Sequence, residues 1–248
     1  MGDHLGVDAR AVRDQAGAQQ QLAGRLHFCV VESAAGTSDL PAHAALVSGM
    51  GRWLHGSVPL ELKVVNPPAI AGVVLRCVSD DFEVRDREGR TGRGFTNLKR
   101  VLGRPADFAF VVGHLARTVP RGHAVAACDE GAWALVGAVA LHLGVPAVLV
   151  RRVPKKYFVS YGDDPAIGDG RLAGERLAPG TPVHLIDDLV FSGQTLRSAR
   201  AALGLVGLDA RTASAILWTY RADASVEELA AAGMTEITCL VHQSAIPG

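Results

Sequence analysis

Val183-His184-Leu185-Ile186-Asp187-Asp188-Leu189-Val190-Phe191-Ser192-Gly193-Gln194-Thr195 is the stretch whose reading decides the fold. Val183–Ile186 is a mostly apolar run of strand length. Two adjacent carboxylates end it, a short loop follows, and Ser-Gly-x-Thr opens a helix over Gln194–Leu205. Parallel strands present ligands at their carboxyl ends. Ser192, Gly193 and Thr195 offer hydroxyls and unobstructed N–H groups at a helix N-terminus, which favours a phosphate dianion. Asp187 and Asp188 repel that phosphate and call for hydroxyls, a metal or developing positive charge. A ligand with a phosphate at one end and vicinal hydroxyls nearby, such as ribose 5-phosphate, meets both demands. The plainer alternative is an Asp-Asp pair that merely ends a strand and caps a helix. A Walker-type loop is disfavoured because no Gly-Lys-Ser/Thr is present.

Working outward, the pattern from residue 105 alternates helices and strands. Helices are read over Ala106–Thr118, Ala132–Leu143 and Ser225–Ala232. Strands are read over Ala124–Ala127, Ala147–Val150, Thr212–Thr219 and Glu236–Val241. Such alternation implies βαβ units and a parallel sheet. Val153–Gly180 is polar and aperiodic. Residues 1–104 read as an α+β segment, with strands at Leu26–Val31 and Leu60–Val65, a helix at Ala42–Leu54, and a hairpin around Phe82, Val84 and Glu88-Gly89. Pro67-Pro68 breaks the chain, and Val73–Val78 is a further apolar run. The expected division is 1–104 and 105–248.

Composition narrows the classes. Apolar residues make up 48 % of the 248, too many for a disordered chain. Lys plus Arg equal Asp plus Glu at 25 each, which argues against a global basic field for nucleic acid. No apolar run is long enough to span a bilayer, and the N-terminus has no secretory pattern. Cys29, Cys77, Cys128 and Cys239 are scattered without CxxC spacing, so a zinc site or disulfide framework is not expected. The expectation is a cytoplasmic protein with reduced thiols.

The 183–195 segment resembles the 5-phosphoribosyl 1-diphosphate (PRPP) signature of type I phosphoribosyltransferases: an apolar strand, Asp-Asp, and a Ser/Thr-Gly-x-Thr-type loop. The resemblance covers about residues 105–245. It implies a parallel α/β core with helices on both faces, preceded by an N-terminal α+β hood. It also implies Mg²⁺ as cofactor, with PRPP and a heterocyclic base as partners, in a homodimer. Ser192, Gly193, Gln194 and Thr195 would anchor the 5-phosphate. Asp187 and Asp188 would hold ribose hydroxyls, directly or through the metal, and steady positive charge on the sugar. Asp129, Glu130 and Gly131 occupy the position of the family's pyrophosphate loop, although two acidic residues there are a departure. Arg151, Arg152, Lys155 and Lys156 form a basic cluster after the Ala147–Val150 strand, suited to a leaving diphosphate. Two of only four lysines stand side by side there. Tyr157–Gly174 resembles the loop that closes over PRPP, with glycines at 162, 168, 170 and 174.

The implied reaction is displacement at the ribose anomeric carbon by a ring nitrogen, with release of diphosphate. Gly94-Phe95-Thr96-Asn97-Leu98-Lys99 resembles the Phe-Thr-Leu-Lys stretch of orotate enzymes with one residue inserted, which makes Lys99 a candidate near the reacting centre. Arg197 is a candidate for a carboxylated acceptor, so the balance leans towards orotate. A purine, deazapurine or specialised heterocycle stays open, with Trp133, Phe158 and Tyr161 as stacking candidates. His184 reads as a core histidine. The rivals are a non-catalytic PRPP-sensing regulator, whose basic patch would be Arg85–Arg104, and a relative of PRPP synthase, for which no nucleotide site is found.

Overall fold

The computed structural model describes residues 29–30, 59–85, 91–153, 161 and 170–246. An eight-stranded sheet runs in the order β1-β2-β10-β9-β8-β5-β6-β7. The strands are β1 (Cys29–Val30), β2 (Glu61–Val64), β5 (Ala124–Ala127), β6 (Ala147–Val150), β7 (Leu172–Ala173), β8 (Pro182–Val190), β9 (Asp209–Trp218) and β10 (Glu236–His242). Every pairing is parallel except β6 with β7. The remaining two strands, β3 (Val78–Arg85) and β4 (Thr91–Thr96), form a separate antiparallel hairpin.

Alternation along the strands assigns the two faces of the sheet. Val125, Ala127, Ile186, Ile216 and Leu240 point to one face. There they meet α1 (Pro68–Leu75), α2 (Pro105–Thr118) and α3 (Trp133–Leu143) through Ile70, Val111, Leu115, Val136 and Val139. Ala124, Ala126, Leu185, Ala213 and Cys239 point to the other. They pack on α4 (Gln194–Gly204) and α6 (Val226–Ala231) through Leu196, Ala199, Leu203 and Leu229. A sheet buried on both sides explains why its strands are continuous apolar runs.

The doubly covered parallel core agrees with the sequence reading, with three adjustments. Pro67-Pro68 begins a helix, because Pro68 sits at the first turn of α1, where a missing N–H costs nothing. Strand β2, within the expected 1–104 segment, pairs with β10, register Leu62 with Ile237, and buries Leu62 and Val64 in the core. Strand β8 continues to Val190, so Asp187 and Asp188 lie within its last turn of pleat. A short helix α5 (Tyr220–Asp223) also follows β9. The strand expected over Leu26–Val31 is described only at Cys29–Val30, and the helix over Ala42–Leu54 lies outside the described residues.

Candidate functional site

Strand order places the site. From β5 the chain crosses through α3 to β6 on one side, whereas β8 crosses through α4 to β9 on the other. The direction of winding therefore reverses between β5 and β8. Two crossover helices diverging from adjacent strands leave a crevice at their carboxyl ends, where α/β sheets bind ligands. The two loops at that point are Asp129-Glu130-Gly131 after β5 and Phe191–Thr195 after β8.

The loop after β8 is a turn into α4. Gly193 is the helix N-cap with φ 65°, a left-handed conformation. A side chain there would also meet Leu229 Cδ1 and Ser225 Oγ at 3.0 Å, so glycine is required twice over. No side chain caps α4, which leaves its first N–H groups to a ligand. Ser192 and Gln194 are exposed and Thr195 is half-buried around them.

The two adjacent aspartates divide. Asp187 is 4 % exposed, and its Oδ1 accepts the Asp188 N–H at 2.9 Å. Burial, reinforced by the Asp188 charge, pushes its carboxyl well above the usual range. Asp188 lines a cleft with Lys99, Gly131, Leu98, Val101 and Leu135. A methyl group placed on Gly131 would lie 3.6 Å from both Asp188 carboxylate oxygens and 3.8 Å from Lys99 Cε. Lys99 thus reaches the turn after β5 from the 3₁₀ turn Leu98–Gly103 that follows the hairpin.

The loop after β5 is acidic, and its charges are spent locally. Asp129 caps the turn, its Oδ1 accepting the Glu130 N–H at 2.7 Å. Burial and the neighbouring Glu130 carboxyl push Asp129 up to about 6. Glu130 is held below the ordinary carboxylate range by its hydrogen bond with Asp129 and by Arg151. Arg151 donates from Nε to Glu130 Oε1 at 3.0 Å, with its second nitrogen 2.9 Å away, and lies over the Trp133 ring at 5.2 Å. Glu130 and Arg151, expected on a diphosphate, are therefore engaged with each other in this arrangement. Arg152 is exposed beside them, and Lys155 and Lys156 lie outside the described residues.

Other sequence candidates separate from the crevice. Arg197, expected at an acceptor, forms an ion pair with Glu228 on α6. Trp133 donates its indole N–H to the Val150 carbonyl at 3.1 Å. Tyr161 is buried, and its hydroxyl accepts the Leu177 N–H at 3.0 Å. Both rings are structural here. Phe158 and most of the 157–174 loop lie outside the described residues. His184 is a core histidine between Thr212 Oγ1 at 2.8 Å and Ser214 Oγ at 3.1 Å, and burial lowers it to about 3. Within the basic stretch 85–104, Arg104 pairs with Asp107 and donates to the Arg76 carbonyl. The sequence reading missed one pair at the crevice. Phe191 stands 45 % exposed in the loop after β8, with the Arg221 guanidinium 4.9 Å from its ring centre. Its signal, an aromatic residue directly before Ser-Gly-x-Thr, was legible.

Fold and site together define a doubly wound α/β protein with a phosphate-type cradle and a carboxylate facing one crevice. The chain is 31 % identical to adenine phosphoribosyltransferase of Rhodospirillum rubrum over 134 residues, 50 % of this chain and 75 % of that enzyme. It is 29 % identical to human adenine phosphoribosyltransferase over 119 residues, 44 % of this chain and 66 % of that enzyme. It is 32 % identical to orotate phosphoribosyltransferase of Lactiplantibacillus plantarum over 119 residues, 48 % of this chain and 49 % of that enzyme. The crystal structure of orotate phosphoribosyltransferase from Aeropyrum pernix shares the fold, with TM-score 0.53 and 19 % identity over 68 % of this chain and 93 % of that one. Adenine phosphoribosyltransferase from Leishmania tarentolae does so with TM-score 0.54 and 17 % identity over 75 % and 93 %. No family model matches the chain. The chain belongs to the type I phosphoribosyltransferase family.

Proposed function

We propose that this protein transfers the 5-phosphoribosyl group of PRPP to a ring nitrogen of a nucleobase-like heterocycle and releases diphosphate. The observation that carries this reading is the meeting of the 129–131 and 191–195 loops at the switch point, with Asp188 between them. The 5-phosphate would take the free N–H groups of Gln194 and Thr195 and the hydroxyls of Ser192 and Thr195, where the helix dipole favours a dianion. The ribose would then lie over Asp188, whose carboxylate accepts from its hydroxyls. Asp187 acts from beneath, fixing Asp188 through the hydrogen bond to its N–H. The anomeric carbon–oxygen bond breaks as the carbon–nitrogen bond forms. The electron pair leaves with diphosphate, and the ring N–H proton passes to solvent. Positive charge growing on the sugar is stabilised by the fixed Asp188 charge. Lys99, across Gly131, would draw off the diphosphate.

Among the described residues no three ligating side chains converge. Mg²⁺ commonly takes one or two carboxylates and completes its shell with water and substrate phosphates, which the half-buried, cleft-lining carboxylate of Asp188 fits. Bound there with the donor, it would neutralise charge on the departing diphosphate. Adenine-type and orotate-type acceptors are both open, because relatives of both kinds align with the chain. We infer a cytoplasmic homodimer as the setting; among the described residues no helix is long and apolar enough to cross a membrane.

The test is diphosphate release from PRPP and Mg²⁺ with adenine, hypoxanthine, guanine, orotate, uracil, a deazapurine and nicotinate. Turnover that depends on one acceptor and is lost in Asp188→Asn supports the reading. Absence of PRPP binding sinks it.

A further inference from the structure

We propose that Phe191, held by Arg221, is the platform on which the acceptor ring stacks. This rests on the transferase reading above and names the part of the site that reads the acceptor. A nucleophile enters opposite the bond that breaks. The diphosphate is expected over the loop after β5, which flanks β8 on one side. The acceptor must then approach from the other side of β8, where β9 ends. The cleft of Leu98, Lys99 and Val101 lies with Gly131, on the leaving-group side, and does not serve this approach.

At the end of β9 stand Thr219 and Arg221. Thr219 ties that end to the phosphate loop: its N–H donates to the Val190 carbonyl at 3.1 Å and its hydroxyl to the Phe191 carbonyl at 3.4 Å. The Phe191 backbone is therefore pinned from the β9 side, and its ring stands beside Ser192 and Gly193. The guanidinium 4.9 Å from the ring centre orients the ring by a cation–π contact. An aromatic side chain left 45 % exposed within a polar, glycine-bearing phosphate loop has no core to fill. A flat heterocycle would cover it. Of the aromatic side chains first read as stacking candidates, Trp133 and Tyr161 are already packed and hydrogen-bonded, and Phe158 lies outside the described residues. Base–aromatic stacking tolerates many rings and is worth about 5- to 150-fold in affinity. The platform therefore requires an aromatic acceptor without fixing which one.

The experiment compares dissociation constants of ribose 5-phosphate, adenosine 5′-phosphate and uridine 5′-phosphate by calorimetry, for wild type, Phe191→Ala, Phe191→Trp and Arg221→Gln. The two nucleotides add a base to the same sugar phosphate, so their ratio to ribose 5-phosphate isolates the base. The expected result is a ratio that rises about tenfold in Phe191→Ala, stays within twofold in Phe191→Trp and rises by less in Arg221→Gln. Ribose 5-phosphate itself should bind all four proteins alike. A ratio unchanged in Phe191→Ala overturns the platform, as does a wild type that binds nucleotide no better than ribose 5-phosphate. Failure of all three compounds to bind wild type overturns the PRPP reading and the platform with it.

Discussion

Gly131→Ala separates folding from the site. Gly131 lies in the 3₁₀ turn 130–132 and is not among the residues with positive φ. The added methyl meets the Asp188 oxygens at 3.6 Å and Lys99 Cε at 3.8 Å, ordinary contact distances. Alanine therefore fits the empty protein without strain. By restricting the unfolded chain it should raise stability by about 0.4–1 kcal/mol. The same methyl stands where donor oxygens must pass between the turn and Asp188. A gap of 3.6 Å admits no oxygen at hydrogen-bonding distance from both sides, so the donor must shift. Displacement by about 1 Å costs about 10²-fold in rate. The assay is diphosphate release at saturating acceptor, paired with urea unfolding. The expected outcome is PRPP turnover down about 100-fold with an unfolding midpoint equal to or above wild type. Wild-type turnover and PRPP affinity in this variant would refute the placement of the donor against the 129–131 turn. A collapsed midpoint would refute the strain-free geometry.

Three further outcomes follow from the same structure. Asp188→Asn should lower PRPP turnover about 100-fold while leaving thermal stability equal or higher, because the Asp188 charge is a like-charge neighbour of the buried Asp187 carboxyl; a joint loss of activity and stability would contradict it. Gly193→Ala should destabilise by about 2 kcal/mol, since its φ of 65° alone costs alanine roughly 1–2 kcal/mol. Contacts at 3.0 Å to Leu229 and Ser225 add to that, and chemical denaturation measures the sum. His184 stays neutral when folded, lowered to about 3, whereas its unfolded value is about 6.5. As pH falls below 6.5 the unfolded chain takes a proton that the folded one refuses. His184 should therefore remove about 2 kcal/mol between pH 6.5 and 5. A His184→Gln variant with the wild-type acid slope would show that other groups set it.

The order of helices and strands from residue 105, the turn at Gly193 and the joining of two carboxylates to a Ser-Gly-x-Thr turn at one strand end were legible in the sequence. All three are local: apolar periodicity, a glycine's freedom and the chemistry of adjacent side chains need no distant contact. Only the tertiary structure decided which carboxylate faces the crevice. Asp187 and Asp188 are neighbours in a strand, so their side chains point to opposite faces, and the packing above each face buried one of them. It likewise decided the fate of charges. Arg151 and Glu130 are 21 residues apart, and Arg197 and Glu228 are 31 apart; each cation was paired by folding before any ligand could claim it. Lys99 reached Gly131, and Arg221 reached Phe191, through separations of about thirty residues. Such pairings depend on which strands lie side by side, and the parallel order β6-β5-β8-β9 is set by how the crossover helices bury their apolar faces on the two sides of the sheet.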